Sequence, residues 1–194
     1  MRVIGGNYKG LKLTSNKKIN SKNGEFLIRP TSDRTKETLF NMIQNSFKLN
    51  LQDTSFLDFF SGTGSIGIEA ISRGSKCVYF IDSEKSSCDQ IRENLSLLFR
   101  KNGLEKVEVQ VLKKDFFDNE LLFERKFDFI YLDPPYKKFL IEDVIQRLIE
   151  LNVMKKSSLI IYESDLRAIG FGNLNLLDSR RIGKTFISFY EISH

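Results

Sequence analysis

Ser55-Phe56-Leu57-Asp58-Phe59-Phe60-Ser61-Gly62-Thr63-Gly64-Ser65-Ile66-Gly67 is the stretch on which the fold turns. Its first six residues form an apolar run of strand length. Gly62, Gly64 and Gly67 then give a G-x-G-x-x-G spacing at the mouth of a helical stretch, Ser65 to Arg73. A strand that passes through a glycine turn into a helix is how doubly wound α/β folds bring their backbone close to a nucleotide-like ligand. Asp82 closes the next apolar run, Lys76 to Asp82, where an acid can hold ribose hydroxyls.

By spacing alone, a nicotinamide dinucleotide would suit this turn. Asp58, just before it, argues otherwise, because a carboxylate beside the loop repels a pyrophosphate. S-adenosylmethionine has no phosphate and carries an ammonium and a sulfonium, so the same carboxylate favours it. The expected cofactor-binding set is Asp58, Phe60, Ser61, Gly62, Gly64, Asp82, Asp115 and Phe116. Asp115 can accept from an adenine amine while Phe116 or Phe117 packs on its ring. Equally, it can be a cap residue in front of core phenylalanines.

Outward from the turn, short apolar runs alternate with amphipathic stretches, the pattern of a parallel sheet covered on both faces. Strands are expected at Ser55–Phe60, Lys76–Asp82, Val107–Lys113, Phe127–Leu132 and Ser158–Glu163. Helices are expected at Ser65–Arg73, Ser86–Lys101, a short piece near Asp118–Phe123, and Lys138–Leu151. Leu174–Arg181 and Thr185–Ile192 have no helix between them and read as an antiparallel pair joined at Gly183-Lys184. The fold class is therefore α/β, a seven-stranded, mostly parallel sheet with a terminal antiparallel hairpin, an arrangement that resembles the Rossmann-like methyltransferase fold. Residues 1–30 are expected to form a basic β-hairpin and loop extension, and 31–194 the S-adenosylmethionine-dependent domain. Thr31-Ser32-Asp33 offers caps for a helix in which Leu39, Phe40, Ile43 and Phe47 recur at helical spacing.

Phe127-Asp128-Phe129-Ile130-Tyr131-Leu132 runs directly into Asp133-Pro134-Pro135-Tyr136, at the carboxyl edge of the expected sheet. Two prolines fix φ and remove backbone donors, leaving carbonyls that only accept. Such a corner suits an exocyclic amine, whose lone pair is delocalised into a base ring. Asp133 and the Pro134 carbonyl, accepting its two N–H bonds, would turn that lone pair toward a methyl donor, while Tyr136 stacks on a base taken out of its helix. Asp133, Pro134 and Tyr136 are the expected catalytic residues.

Charge adds a partner. The chain of 194 residues carries +5 overall, but residues 1–53 alone hold ten Lys/Arg against four acids. Arg2, Lys9, Lys12 and Arg34 are the expected RNA contacts, for which a solvated basic face is the plainer reading. Arg34 can position a phosphate or the target base, or simply pair with Glu37 or Glu69. No apolar run is long enough to span a bilayer and no leader peptide is evident, so a cytoplasmic protein with no membrane partner is expected. A single histidine, His194, and no CxxC pair leave too few ligands for a zinc site, and no metal is expected. Neither Cys77 nor Cys88 follows a proline at a strand end, which excludes cysteine-based cytosine-C5 chemistry.

Together these residues resemble a family. Asp133-Pro134-Pro135-Tyr136 is similar to the D/N-P-P-Y/F signature of amino-methyltransferases. Arg2-Val3-Ile4-Gly5-Gly6 and Arg29-Pro30-Thr31-Ser32-Asp33-Arg34-Thr35-Lys36-Glu37-Thr38-Leu39-Phe40-Asn41 resemble the bacterial 16S rRNA guanine-N2 methyltransferase family RsmD. Asp58 to Gly64, Gly67-Ile68-Glu69-Ala70, Ser72-Arg73-Gly74 and Tyr162-Glu163-Ser164 carry the likeness over nearly the whole chain. The resemblance implies methylation of guanine 966 of 16S rRNA on N2, with the rRNA in a small subunit or assembly intermediate as partner and a monomeric enzyme. A DNA adenine-N6 or other amino-methyltransferase, or an RNA-binding assembly factor without activity, remains the alternative at this level. The fifty or so residues before the first strand leave little room for the recognition domain a DNA enzyme needs.

Overall fold

The computed structural model describes residues 1–15, 31–101, 107–135, 139–167, 169–170 and 172–193. Tyr136, Arg29-Pro30, the Asn16–Glu25 loop, His194 and the expected helix start at Lys138 lie outside them. Seven strands form one sheet: β1 (Ser55–Phe59), β2 (Cys77–Asp82), β3 (Glu108–Lys113), β4 (Phe127–Leu132), β5 (Met154–Ser164), β6 (Leu174–Ile182) and β7 (Thr185–Ile192). Their spatial order is β3-β2-β1-β4-β5-β7-β6. The first five are parallel, while β7 runs antiparallel to both β5 and β6. Four helices, α1 (Asp33–Asn41), α2 (Ser65–Ser72), α3 (Lys85–Lys101) and α4 (Ile141–Glu150), cover the sheet.

Central strands are apolar because both of their faces are covered, and every residue of β1 is buried. One face packs Phe56, Phe80, Phe129, Ile161 and Phe189 against α1, α2, α3 and the N-terminal residues. The other packs Leu57, Phe59, Ile130, Leu132 and Ile160 against Val144, Ile145 and Leu148 of α4, each worth about 1.5–3 kcal/mol of burial. At the amino edge, Asp128 of β4 accepts from the Ser55 amide and hydroxyl (2.9 and 2.7 Å) and from Lys155 Nζ at 2.7 Å, joining three strands. Ser32 caps α1 by accepting from the Thr35 amide at 3.0 Å. One π-helical turn, Met42–Ser46, follows it.

One expectation needs revision. Asp118–Phe123 is a run of turns rather than a short helix: Asp115 and Asp118 each accept from the amide two residues on, at 2.9 Å, and hold the backbone out of helical geometry. At the N-terminus the chain doubles back around a 3-10 turn at Gly6–Tyr8, with an antiparallel bridge between Arg2 and Lys12 flanked by the Val3 amide donating to the Leu11 carbonyl (2.9 Å) and the Leu13 amide to the Met1 carbonyl (3.1 Å). Residues 1–15 pack onto the sheet's own core through Val3, Tyr8 and Leu13. Gly6, at φ +70°, has no space for a side chain, since a Cβ there would meet the Ser72 carbonyl oxygen at 1.9 Å.

Candidate active site

The strand order reverses between β1 and β4, and the crevice beyond the carboxyl ends of those strands is where such sheets bind ligands. Four of the expected site acids stand along this edge. Asp58 is on β1, Asp82 ends β2, Asp115 follows β3 and Asp133 follows β4.

Asp58 is 1% exposed. Its Oδ2 accepts from the Gly67 amide at 2.9 Å, and among the described residues its Oδ1 has no hydrogen-bond partner. Burial drives the carboxyl up to about 8; the Gly67 amide opposes that rise and the nearby Asp82 charge adds to it. A buried acceptor left orphaned is costly, and a cationic donor beside it would cancel that cost. Gly67 is required by this packing: a Cβ would lie 2.3 Å from Phe80 Cε1 and 3.1 Å from Asp58 Oδ2.

The turn is built by hydrogen bonds, and of its residues Ser61–Gly64 only Gly62 is partly exposed. The Gly62 amide donates to Asp82 Oδ2 (2.8 Å) and the Gly64 amide to the Ser61 carbonyl (2.7 Å), with Gly62 and Gly64 at φ +54° and +75°. Asp82 also accepts from the Glu84 amide at 2.9 Å. Burial raises its pKa despite these amides. The Ser61 hydroxyl donates to the Asp58 carbonyl at 2.5 Å and accepts from the Ile81 amide at 3.0 Å, so this side chain splices β1 to β2. Beyond the turn, Phe60, Asp82, Asp115, Phe116 and Pro135 line a cavity of about 40 Å³ with Phe139. Phe60, itself at φ +56°, packs on Phe116 and Phe139 with ring centroids 5.2 and 6.1 Å apart. Asp115 is exposed at the rim, and its Oδ1 holds the Phe117 amide.

Asp133 and Pro134 follow directly on β4, Asp133 partly exposed and Pro134 buried. Their distance from Asp58 in the fold is short, because Asp58 pairs in register with Tyr131, two residues before Asp133. The buried Tyr131 hydroxyl is pushed well above its usual range by burial first, then by the charges of Asp133, Glu163 and Asp58. It donates to Glu163 Oε2 at 2.6 Å. Glu163 was given no role from sequence, although an acid closing the apolar run Leu159-Ile160-Ile161-Tyr162 is the same signal that singled out Asp82.

The expected RNA contacts lie on the N-terminal side. Lys9, Lys12 and Arg34 are exposed. Arg2 pairs with Asp33 at 2.9 Å. No ion pair ties Arg34 to Glu37 or Glu69 among the described residues. Glu69, wholly buried, instead takes Arg73 Nε at 2.9 Å and the Ile4 amide at 2.8 Å. Lys36, also buried, pairs with Asp33 and donates to the Arg2 carbonyl, and burial lowers its pKa. Asn94 was also missed by sequence reasoning. Its amide nitrogen donates to the carbonyls of Thr14 (3.1 Å) and Thr63 (3.0 Å), and its oxygen accepts from the Thr14 amide (2.8 Å), so it ties the N-terminal segment to the glycine turn.

A reversed parallel sheet ending in an antiparallel pair, with a glycine turn over a buried acid, is the Rossmann-like methyltransferase fold. The family described as Conserved hypothetical protein 95 matches residues 1–191, and the chain belongs to it. Ribosomal RNA small subunit methyltransferase D of Haemophilus influenzae is 34% identical, over 98% of this chain and 93% of its own length. The Escherichia coli protein of that name is 28% identical over 86% of this chain and 75% of its own. The solved structure of Escherichia coli yhhF superposes with a TM-score of 0.79 at 26% identity, covering 100% of this chain and 98% of that one.

Proposed function

We propose that this protein methylates 16S rRNA with S-adenosylmethionine as donor, and that its target is the exocyclic N2 amine of a guanine, guanine 966 by resemblance. The observation that carries the reading is the orphaned, fully buried Asp58 Oδ1 one strand away from the Asp-Pro-Pro corner. An unpartnered carboxylate oxygen under a glycine turn fits a ligand that is cationic and lacks phosphate. Asp58, Asp82 and Asp115 would hold that ligand, Phe60 and Phe116 would form its apolar wall, and Ser61, Gly62 and Gly64 would shape the turn. When bound, S-adenosylmethionine supplies an electrophilic methyl group on its sulfonium.

The chain's own contribution is alignment and charge. Asp133 and the Pro134 carbonyl accept the two N–H bonds of the amine, which localises its lone pair and aims it. The nitrogen that gains a methyl must shed one proton, and the Asp133 carboxylate is the base beside it. Tyr136 stacks on the extruded base. Arg2, Lys9 and Lys12, on an RNA-facing extension of residues 1–30, and Arg34, at the start of a methyltransferase domain spanning 31–194, meet phosphates. The enzyme acts as a monomer in the cytoplasm, on a small subunit or an assembly intermediate.

The deciding experiment compares 16S rRNA nucleosides, by mass spectrometry, from cells with and without the gene. Loss of one N2-methylguanosine is expected, and restoration by the wild-type gene but not by Asp133→Ala. Identical nucleoside profiles would refute the assignment.

A further inference from the structure

Asp133 does not stand alone at the substrate end. Leu132 pairs in register with Tyr162, so Asp133, the first residue beyond β4, lies next to Glu163, which is still within β5 and paired with Ile187 of β7; neighbouring strands lie about 4.8 Å apart. Glu163 is 8% exposed, and the Tyr131 hydroxyl at 2.6 Å fixes the orientation of its carboxylate. That hydroxyl also feels the charges of Asp133 and Asp58. Three acids thus surround one tyrosine, and one of them, Asp58, carries the orphaned oxygen that calls for a ligand.

Two acceptors side by side match one nucleobase edge better than the others. Guanine presents N1–H next to its N2 amine, an unbroken row of donors. Adenine and cytosine present an amine next to a ring nitrogen whose lone pair is itself an acceptor. We propose that Glu163 is the residue that selects guanine, accepting N1–H while Asp133 and the Pro134 carbonyl hold the amine. A base with a lone pair at that position meets a buried carboxylate with no proton between them, the mismatch that discriminates most strongly in a closed site. The inference rests on the amino-methyltransferase reading above and deepens it.

The test uses 2-aminopurine, which keeps the 2-amino group but has a bare N1. Small subunits reconstituted with 16S rRNA carrying either guanine or 2-aminopurine at the target are methylated by wild type, Glu163→Gln and Tyr131→Phe. Wild type is expected to prefer guanine by about 100-fold or more in kcat/KM. Glu163→Gln keeps an acceptor for the Tyr131 hydroxyl but can turn an amide donor toward N1. It is expected to lose at least tenfold on guanine and to lower the guanine-to-2-aminopurine ratio at least tenfold. Tyr131→Phe, which only releases the carboxylate, is expected to lower the ratio several-fold and serves if the first variant does not fold. An unchanged ratio in the folded variants, with both substrates losing equally, overturns the role of Glu163 and leaves the methyltransferase reading standing. Failure of wild type to methylate the guanine substrate overturns that reading and the inference with it.

Discussion

The two halves of the carboxyl edge hold their acids by different means. On the β1–β2 side, Asp58 and Asp82 are fixed by backbone amides, those of Gly67, Gly62 and Glu84. On the β4–β5 side, Glu163 is fixed by a side chain, Tyr131, and the backbone at Asp133 is restricted by the prolines that follow it. A backbone donor persists whatever side chain occupies its position, whereas a hydroxyl disappears with one substitution. Under the proposed roles, the cofactor half is built for constancy, and the substrate half is where selectivity can be set or changed.

That contrast can be broken most severely on the substrate side. Asp133→Ala is expected to lower methyl transfer by about 10³-fold while cofactor affinity, read by calorimetry, stays within several-fold. Near-normal turnover would remove Asp133 from the chemistry. On the cofactor side, the weak point is space rather than charge. Gly67→Ala drives a methyl group into Phe80 and is expected to cost about 1–3 kcal/mol in denaturant unfolding, with weaker cofactor binding as well. Unchanged stability would show that the Phe80 ring moves freely, contrary to tight packing there.

Asp58 sharpens the comparison through pH. Its folded carboxyl, near 8, lies above the ordinary value of 3.8, so the native state holds a proton that the unfolded chain releases. Its contribution to the stability of the ligand-free protein is full below about pH 4 and is lost as pH rises toward 8. Asp58→Asn is expected to flatten that slope, as measured by thermal unfolding across the window. A cation bound beside Asp58 favours the ionised form, so S-adenosylmethionine binding at pH 7 is expected to release a proton. Calorimetry in buffers of different ionisation enthalpy reads this directly, and Asp58→Asn should abolish it; equal release by both proteins would place the proton elsewhere.

The smallest effect is expected far from both halves. Replacing Lys9 and Lys12 with glutamate leaves stability unchanged, because both side chains are exposed. RNA binding should weaken several-fold, with a shallower dependence on salt, as expected when phosphate contacts are lost. The same slope in the double variant would take these lysines out of the interface.

Much of the fold was legible because its signals are local. Apolar runs of strand length, the glycine spacing at Gly62–Gly67, the Ser32 cap and the Gly183 turn each depend on neighbours within a few residues. The expected helix at Asp118–Phe123 failed for a reason equally local: two aspartates capture their own backbone, and composition alone did not weigh that against helical spacing. At the N-terminus the backbone pairing of Met1–Val3 with Gly10–Leu13 is local, but the burial of Val3, Tyr8 and Leu13 in the sheet's core is not, and the sequence alone did not show it.

The sequence by itself determined the order of elements and the acids that stand along the carboxyl edge of the sheet, since strand ends and glycine turns are written in consecutive residues. Only the tertiary structure decided which acids share a field. Asp58, Asp133 and Glu163 are separated by 75 and 30 positions in the chain, yet parallel register sets them around one tyrosine hydroxyl. Register between strands is a property of packing across crossovers, and so is the burial that leaves one oxygen of Asp58 without a partner.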